Sequence, residues 1–286
     1  MLTRPTPLTL DEMLKRNVYL PICPQVLVRL VEVLENPNKS VGDLAGTIIS
    51  DPSLTAQVLR VSNSAFFGLS RQICSLEEAI LRIGFKGVWT IAAALKTQEL
   101  YQLSTTDWLG LHGTLWEHST KTAAFAHALC KRLNPLFCDI YFTAGLLHDI
   151  GKLMLHQAEP QYGEVCQGGK LYGYDLVWRE MDLYGTHHAK LGADLLKHWK
   201  LPELICDLVA RHHEPAGDSD HLKLTRNLLR VANEMAHSSE PALAPGQIVF
   251  NTPLDPELLD SIGLDMEGCL AVGTEAQRVM RLLKMI

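Results

Sequence analysis

The stretch GLLHDIGKLML, residues 145–155, sets His148 beside Asp149 inside an otherwise apolar run. An uncompensated carboxylate is costly to bury, so a chain that puts one there needs partners for it. Helical spacing supplies candidates. His118 shares a stripe with Thr122, Phe125 and Leu129, and His148 shares one with Ala144, Leu147, Gly151 and Leu155. His188 lies with Leu191, Gly192 and Leu195 after a Thr186 cap. His212 follows Leu201, Ile205 and Leu208, with His213 beside it after Val209. Each of these side chains is expected on an inward helix face. Imidazoles and a carboxylate on inward faces of successive helices are the ligands of a transition-metal site built between facing helices. They also fit a polar cluster without metal, and spacing alone leaves both readings open.

Lys152, three residues after Asp149, shares that residue's face one turn on. It either neutralises the carboxylate or holds an oxygen of a phosphate-like ligand. His187 points roughly 100° away from His188 on a helix and is expected at the mouth of the site. Asn233 lies on a further inward stripe with Leu229, Ala232 and Ala236. His112, His127, His156, His198, His221 and His237 have no acidic or histidine neighbour at ligand spacing and read as surface or structural residues. No residue is assigned a catalytic role.

Helices must position these groups, and helix signals recur along the chain. Leu27, Leu30, Val31 and Leu34 form an i, i+3, i+4, i+7 stripe. Ser40 with Asp43 and Ser75 with Glu78 read as capping boxes, and Asp51-Pro52 as an N-cap followed by proline at the first helical position. No pair of alternating runs with a tight hinge is visible. The first hundred residues read as about five helices joined by short turns. VSNSAFFG, 61–68, reads as a helix end and turn. PALAPGQIVFNTP, 241–253, reads as a loop before closing helices that start at Asp255-Pro256. The fold expected is all-α, with an N-terminal helical lobe over 1–105. A second helical lobe carrying the His/Asp cluster spans 106–240, and a loop and helical extension spans 241–286.

Composition narrows the function classes. Aromatics make up 7% of the chain while Ala and Leu abound, which favours helices over a sandwich of sheets. A net charge of −6 argues against nucleic-acid binding, which needs a basic face. The seven cysteines form no CxxC pair and are odd in number, and the first residues lack a signal-like apolar core. Reduced thiols in a cytoplasmic protein are therefore expected. No apolar stretch approaches the roughly 18–20 residues of a membrane span.

In the order His118, His148-Asp149, His188, His212-His213, the chain resembles the HD superfamily of metal-dependent phosphohydrolases. More closely, it resembles the HDOD family, the HD-related output domains of bacterial signalling proteins. The resemblance runs over roughly 17–215 and rests on DPSLTAQVLRVSNSAFFG, SLEEAILRIG, LWEHS, AGLLHDIGKL, GTHHAKLGADLLKHWKLPE and ARHHEP. It implies an all-α, two-lobed fold and a role in signal transduction, usually without demonstrable hydrolysis. Two departures accompany it. HD hydrolases close their metal site with an aspartate on a late helix, where RVANEMAH offers Asn233. The branch that cleaves cyclic dinucleotides adds a glutamate one turn before the first histidine, where this chain has Thr114.

One carboxylate cannot balance two divalent cations at close range. The sequence therefore points to one transition-metal ion among His118, His148, Asp149, His188, His212 and His213, with Fe, Mn, Zn and Ni not distinguished. Two functions compete. One is a signalling module whose degenerate site binds a protein partner or nucleotide-like ligand. The other is a metal-dependent phosphohydrolase acting on a nucleotide or cyclic dinucleotide, with Lys152 steadying the phosphate. The sequence names no partner, signal or oligomeric state.

Overall fold

The computed structural model describes residues 7–16, 18, 20–21, 24–36, 38–68, 71–103, 111–133, 137–159, 161–166, 171–215, 223–241 and 248–284. The chain divides into two compact units, Ile22–Leu100 with Arg278–Ile286, and Met1–Pro21 with Tyr101–Gln277. Helices dominate both. The first half of the chain supplies α1 (Leu10–Lys15), α2 (Gln25–Glu35), α3 (Val41–Ile49), α4 (Pro52–Ser62), α5 (Leu76–Ile83), α6 (Phe85–Leu103) and α7 (Leu111–Leu133). There follow α8 (Cys138–Leu147), α9 (Ile150–Ala158), α10 (Tyr162–Cys166), α11 (Gly173–Tyr184), α12 (His188–His198), α13 (Glu203–Arg211) and α14 (Lys223–Ser238). Strands β1 (Ser239–Pro241) and β2 (Ile248–Phe250) precede α15 (Pro256–Asp260) and α16 (Met266–Leu283). Among the described residues, no helix is long and apolar enough to cross a membrane.

In the unit built on Ile22–Leu100, local chemistry starts the helices where the sequence predicts. The Ser40 hydroxyl accepts the Asp43 amide at 3.3 Å, and the Asp43 carboxylate accepts the Ser40 amide at 2.7 Å, a complete capping box. Asp51 caps α4 with Pro52 behind it. The second box is half made: Ser75 caps the Glu78 amide, but the Glu78 carboxylate turns to the Cys74 amide and to Arg71 and Arg82. The buried indole of Trp89 donates to the Leu30 carbonyl at 2.7 Å and ties α6 to α2. VSNSAFFG ends α4 at Asn63 and continues into a 3-10 turn over Ala65–Phe67, closed by Gly68 at φ 57°. Among the described residues, six helices begin within the first hundred rather than five. The addition is α1, whose six residues are too short for a periodic stripe and which is set by its Thr9 cap.

In the other unit, two close backbone approaches set the frame for the histidines. A Cβ on Gly145 of α8 would come within 2.6 Å of Ala123 Cα on α7. A Cβ on Gly151 of α9 would overlap the carbonyl oxygen of His188, at the start of α12. Only glycine allows these helices so near. The stretch GLLHDIGKLML is not one continuous helix. It breaks at His148-Asp149, where α8 ends and α9 begins, with Asp149 at φ −99° and ψ 8°. The His148 ring takes the Gly145 carbonyl at 2.8 Å, one of the groups that a helix end leaves without an intrahelical partner.

Two local corrections follow. The cap of α12 is His187, not Thr186, and its ring accepts the Lys190 amide at 3.4 Å. Within the stretch read as a loop, Ile248–Phe250 forms a strand antiparallel to Ser239–Pro241, in the register Ser239 to Phe250. A three-residue strand is too short to show alternation. Asp255 and Pro256 do open a closing helix, α15.

Candidate metal centre

Six residues converge in the unit that contains α7 to α15. His118 comes from the middle of α7, His148 and Asp149 from the α8–α9 junction, and His188 from the first turn of α12. His212 and His213 lie just past α13. The ligand-type atoms of Asp149, His188, His212 and His213 all lie within 4.8 Å of one another, as do those of His118, His148 and Asp149. Asp149 belongs to both groups. Its Oδ1 faces His188 Nε2 at 3.4 Å and His212 Nε2 at 3.8 Å; its Oδ2 faces His148 Nε2 at 3.3 Å and His118 Nε2 at 3.8 Å. His148, Asp149, His188 and His212 are at most 1% exposed.

Hydrogen bonds fix how each ring presents itself. His148 Nδ1 donates to the Gly145 carbonyl, and His212 Nδ1 to the Val209 carbonyl at 2.7 Å. His188 Nδ1 donates to the Glu180 carboxylate at 2.7 Å, and the same carboxylate accepts the His188 amide and the Tyr162 hydroxyl. In all three rings Nε2 is left as an inward-facing acceptor, the arrangement that prepares imidazoles for a metal. His213 Nε2 lies 3.0 Å from His188 Nε2, which assigns the shared proton to His213. His118 behaves differently. Its Nε2 donates to Asn233 Oδ1 at 2.8 Å, 3.2 Å from His148 Nε2.

Electrostatics follow this geometry. Burial opposes ionisation of Asp149, but His148 and the Lys152 ammonium, 2.6 Å from Oδ2, hold its carboxyl well below the ordinary range. Burial also opposes the charge on Glu180, and His188 and the Tyr162 hydroxyl outweigh it. Desolvation, reinforced by neighbouring imidazoles, keeps His118, His212 and His213 neutral well below the ordinary histidine range. Neutral imidazole is the form that ligates metal.

The residues fit an ion. Asp149 Oδ1 and His212 Nε2 are buried and accept no hydrogen bond. Ligands bonded at about 2.0–2.2 Å stand about 2.8–3.6 Å apart around one ion. The 3.0 Å and 3.4 Å separations fall in that range, and the 3.8 Å one just beyond it.

Sequence reasoning missed two participants. Glu180, fully buried on α11, sits one turn after the buried Leu176 on the same stripe. A carboxylate on an apolar stripe was the available signal. His237, read as surface or structural, is exposed as that reading has it, yet its ring packs at a tilt 4.1 Å from the His118 ring and stacks 4.7 Å from the Tyr172 ring. It lies four residues after Asn233 and therefore on the same face of α14. Of the two readings of Lys152, the structure shows the ion pair with Asp149. A cavity of about 280 Å³ opens beside it, lined by His118, Lys121, Asp149, Lys152, Cys166 and His237, among others. Of the remaining histidines, His221 and the side chain of His112 lie outside the described residues, as does the side chain of Thr114.

A helical chain with a buried, carboxylate-centred histidine cluster spread over α7–α9 and α12–α13 is an HD-related module. The model of the HDOD domain family matches residues 20–215, and the chain belongs to that family. The fold is shared with an HDOD domain protein of unknown function from Geobacter sulfurreducens, with a TM-score of 0.72 and 22% identity over 95% of this chain and 94% of that one. It is shared too with a Marinobacter aquaeolei VT8 protein provisionally named a signal transduction protein. There the TM-score is 0.71 and the identity 25%, over 99% of this chain and 62% of that one. An uncharacterized protein of Treponema pallidum is 28% identical over 220 residues, 75% of this chain. This chain spans 41% of that relative's length.

Proposed function

We propose that this protein is a bacterial, cytoplasmic signal-transduction output module whose HD-type site binds rather than hydrolyses. The observation that carries this reading is the 2.8 Å bond from His118 Nε2 to Asn233 Oδ1. A carboxamide stands where a hydrolytic HD centre would have a carboxylate, and it engages the His118 nitrogen that would otherwise face a metal. Among the described residues, Asp149 is then the one carboxylate bordering both histidine groups, Glu180 touching His188 from behind, and one of its oxygens is committed to Lys152. That leaves little negative charge to hold the cations whose own charge would lower the pKa of bound water, the requirement of metal-assisted hydrolysis. The provisional name of the Marinobacter neighbour supports the signalling side of the reading.

Asp149 and the imidazoles around it are the residues that would hold a transition-metal ion, which would supply Lewis acidity and cross-link the elements that meet there. Lys121 and Lys152 reach the adjoining cavity, paired there with Glu117 and Asp149, and a small nucleotide-like ligand would bind by drawing the lysines from those carboxylates. Ligand or ion occupancy would then set how the module meets a protein partner.

The test is a phosphodiesterase and phosphatase screen of the purified chain on nucleotides and cyclic dinucleotides with Mn or Fe(II) added. No metal-dependent turnover is expected. Robust turnover that is abolished in Asp149→Ala overturns the reading and makes the protein a phosphohydrolase.

A further inference from the structure

Helix α11 buries Leu176 and Glu180 on one face and holds large apolar side chains in water on the other. Trp178 lies two positions from each buried residue, roughly opposite them around the helix, and is 73% exposed. Tyr174 and Met181, four before it and three after, are 40% and 41% exposed. The three form an i, i+4, i+7 stripe, a pattern that ordinarily faces a core. Scattered apolar residues on a surface need no explanation, but a row built on Trp and Tyr marks an interaction surface. We propose that α11 is a dimerisation helix, pairing antiparallel with α11 of a second copy of this chain. The proposal goes beyond the reading above and stands whether or not the histidine cluster holds an ion.

Charge selects this occupant. Asp175, Arg179 and Asp182 are exposed and run along one edge of the stripe, about 40–100° around the helix from Trp178. A two-fold axis that reverses the helix lays that edge against the same edge of the second copy. Centred between Val177 and Trp178, the axis sets Tyr174 opposite the second copy's Met181. It also brings Asp175 to within one residue of the second copy's Arg179, an offset of about 1.5 Å along the helix. Symmetry makes each of these contacts twice. Arg179 meets Asp182 of its own helix at 3.3 Å, with both side chains mostly in water, and a pair so exposed is readily shared with another carboxylate. The acidic edge, on a chain of net charge −6, disfavours an anionic lipid surface as the occupant.

The face is also large enough and already arranged. Covering these six side chains in both copies removes roughly 1,000 Å² from water, the size at which specific interfaces begin. The Arg230 guanidinium lies over the Tyr174 ring, 5.6 Å from its centroid, and steadies that anchor before any partner arrives. From its inner face the same helix reaches the histidine cluster, where Glu180 holds the ring and amide of His188. Interface and site therefore share one helix.

Sedimentation velocity of the purified full chain at about 1–100 μM should show a concentration-dependent dimer. Trp178→Ala should weaken it at least tenfold. Arg179→Asp sets acidic residues against each other across the two-fold, and Asp175→Arg sets arginines against each other, so each alone should weaken the dimer. Mixed in equal amounts, these two variants regain both opposite-charge contacts and should form a heterodimer at least tenfold tighter than either homodimer. Melting temperature and far-ultraviolet ellipticity show that each variant is folded. A wild-type chain that stays monomeric throughout the range overturns the proposal. So does a dimer whose affinity changes less than threefold in folded Trp178→Ala, or a mixture no tighter than its two components. Binding of the monomer to phosphatidylserine vesicles, lost in Trp178→Ala, would assign the face to a membrane instead and equally overturn it. Metal content and turnover are separate readouts, so the non-hydrolytic reading can fail while the dimer stands.

Discussion

The Glu180 carboxylate lies 2.7 Å from His188 Nδ1, and neither residue is exposed to solvent. One carboxylate thereby orients a ring at the centre of the cluster and also holds the start of α12 through the His188 amide. Glu180→Gln keeps the shape but weakens the acceptor. It is expected to lower metal affinity about 10–100-fold, the usual cost of losing a metal ligand's hydrogen-bond partner. Competition against a chromophoric chelator reads this directly. An unchanged affinity in a folded variant would remove Glu180 from the site.

Gly151→Ala should be among the more damaging small substitutions, because the added methyl would meet the His188 carbonyl and the Gly192 backbone. Overpacking of this kind costs about 1–3 kcal/mol or more, here borne by the α9–α12 crossing that sets Asp149 against His188. Gly46→Ala in α3, where a methyl meets nothing within 4 Å, should instead stabilise by about 0.5–1 kcal/mol. Denaturant midpoints of the two variants should shift in opposite directions.

Asn63 staples its loop from both ends of its amide. Its Nδ2 donates to the Ile73 carbonyl at 2.9 Å and its Oδ1 accepts the Ile73 amide at 2.7 Å. Asn63→Ala leaves both Ile73 groups without this partner and should cost about 1–3 kcal/mol. Thermal melts check this: a shift within about 0.5 kcal/mol, the range of ordinary surface substitutions, would refute it.

The acid limb of stability should carry a contribution from Asp51. Its carboxylate caps α4 through the Leu54 amide at 3.0 Å and lies 2.6 Å from the nearly buried Lys96. Burial would raise the Asp51 carboxyl, but that amide and the lysine outweigh it and hold its pKa below the ordinary value. A pKa lower in the folded than in the unfolded state stabilises fully above the unfolded value, about 3.9, and the contribution fades as pH falls through the folded value. Asp51→Asn retains a capping oxygen but no charge. Its stability at pH 7 should be lower than wild type, and the gap should narrow below about pH 4 in denaturant titrations. A gap constant with pH would show that the charge contributes nothing.

Local chemistry made much of the protein readable from sequence. Ser40, Asp51 and Ser75 begin helices with their own side chains, so their positions need no distant partner to interpret. Periodicity likewise placed His118 and His188 on inward faces, because a stripe is a property of one helix. Beyond one element, sequence reasoning failed in characteristic ways. A continuous apolar run from Gly145 to Leu155 looks helical throughout, yet the chain turns at His148-Asp149 so that Asp149 can face rings from three directions. Glu180 and His237 carry no mark of their role in spacing to the ligands, because they reach His188 and His118 across helix packing. Which oxygen of Asp149 meets Lys152 and which faces His188 and His212 is decided only when α7, α9, α12 and α13 close around it. Residue types and their periods are local and survive in one dimension, whereas the division of one buried charge among several partners is a property of three.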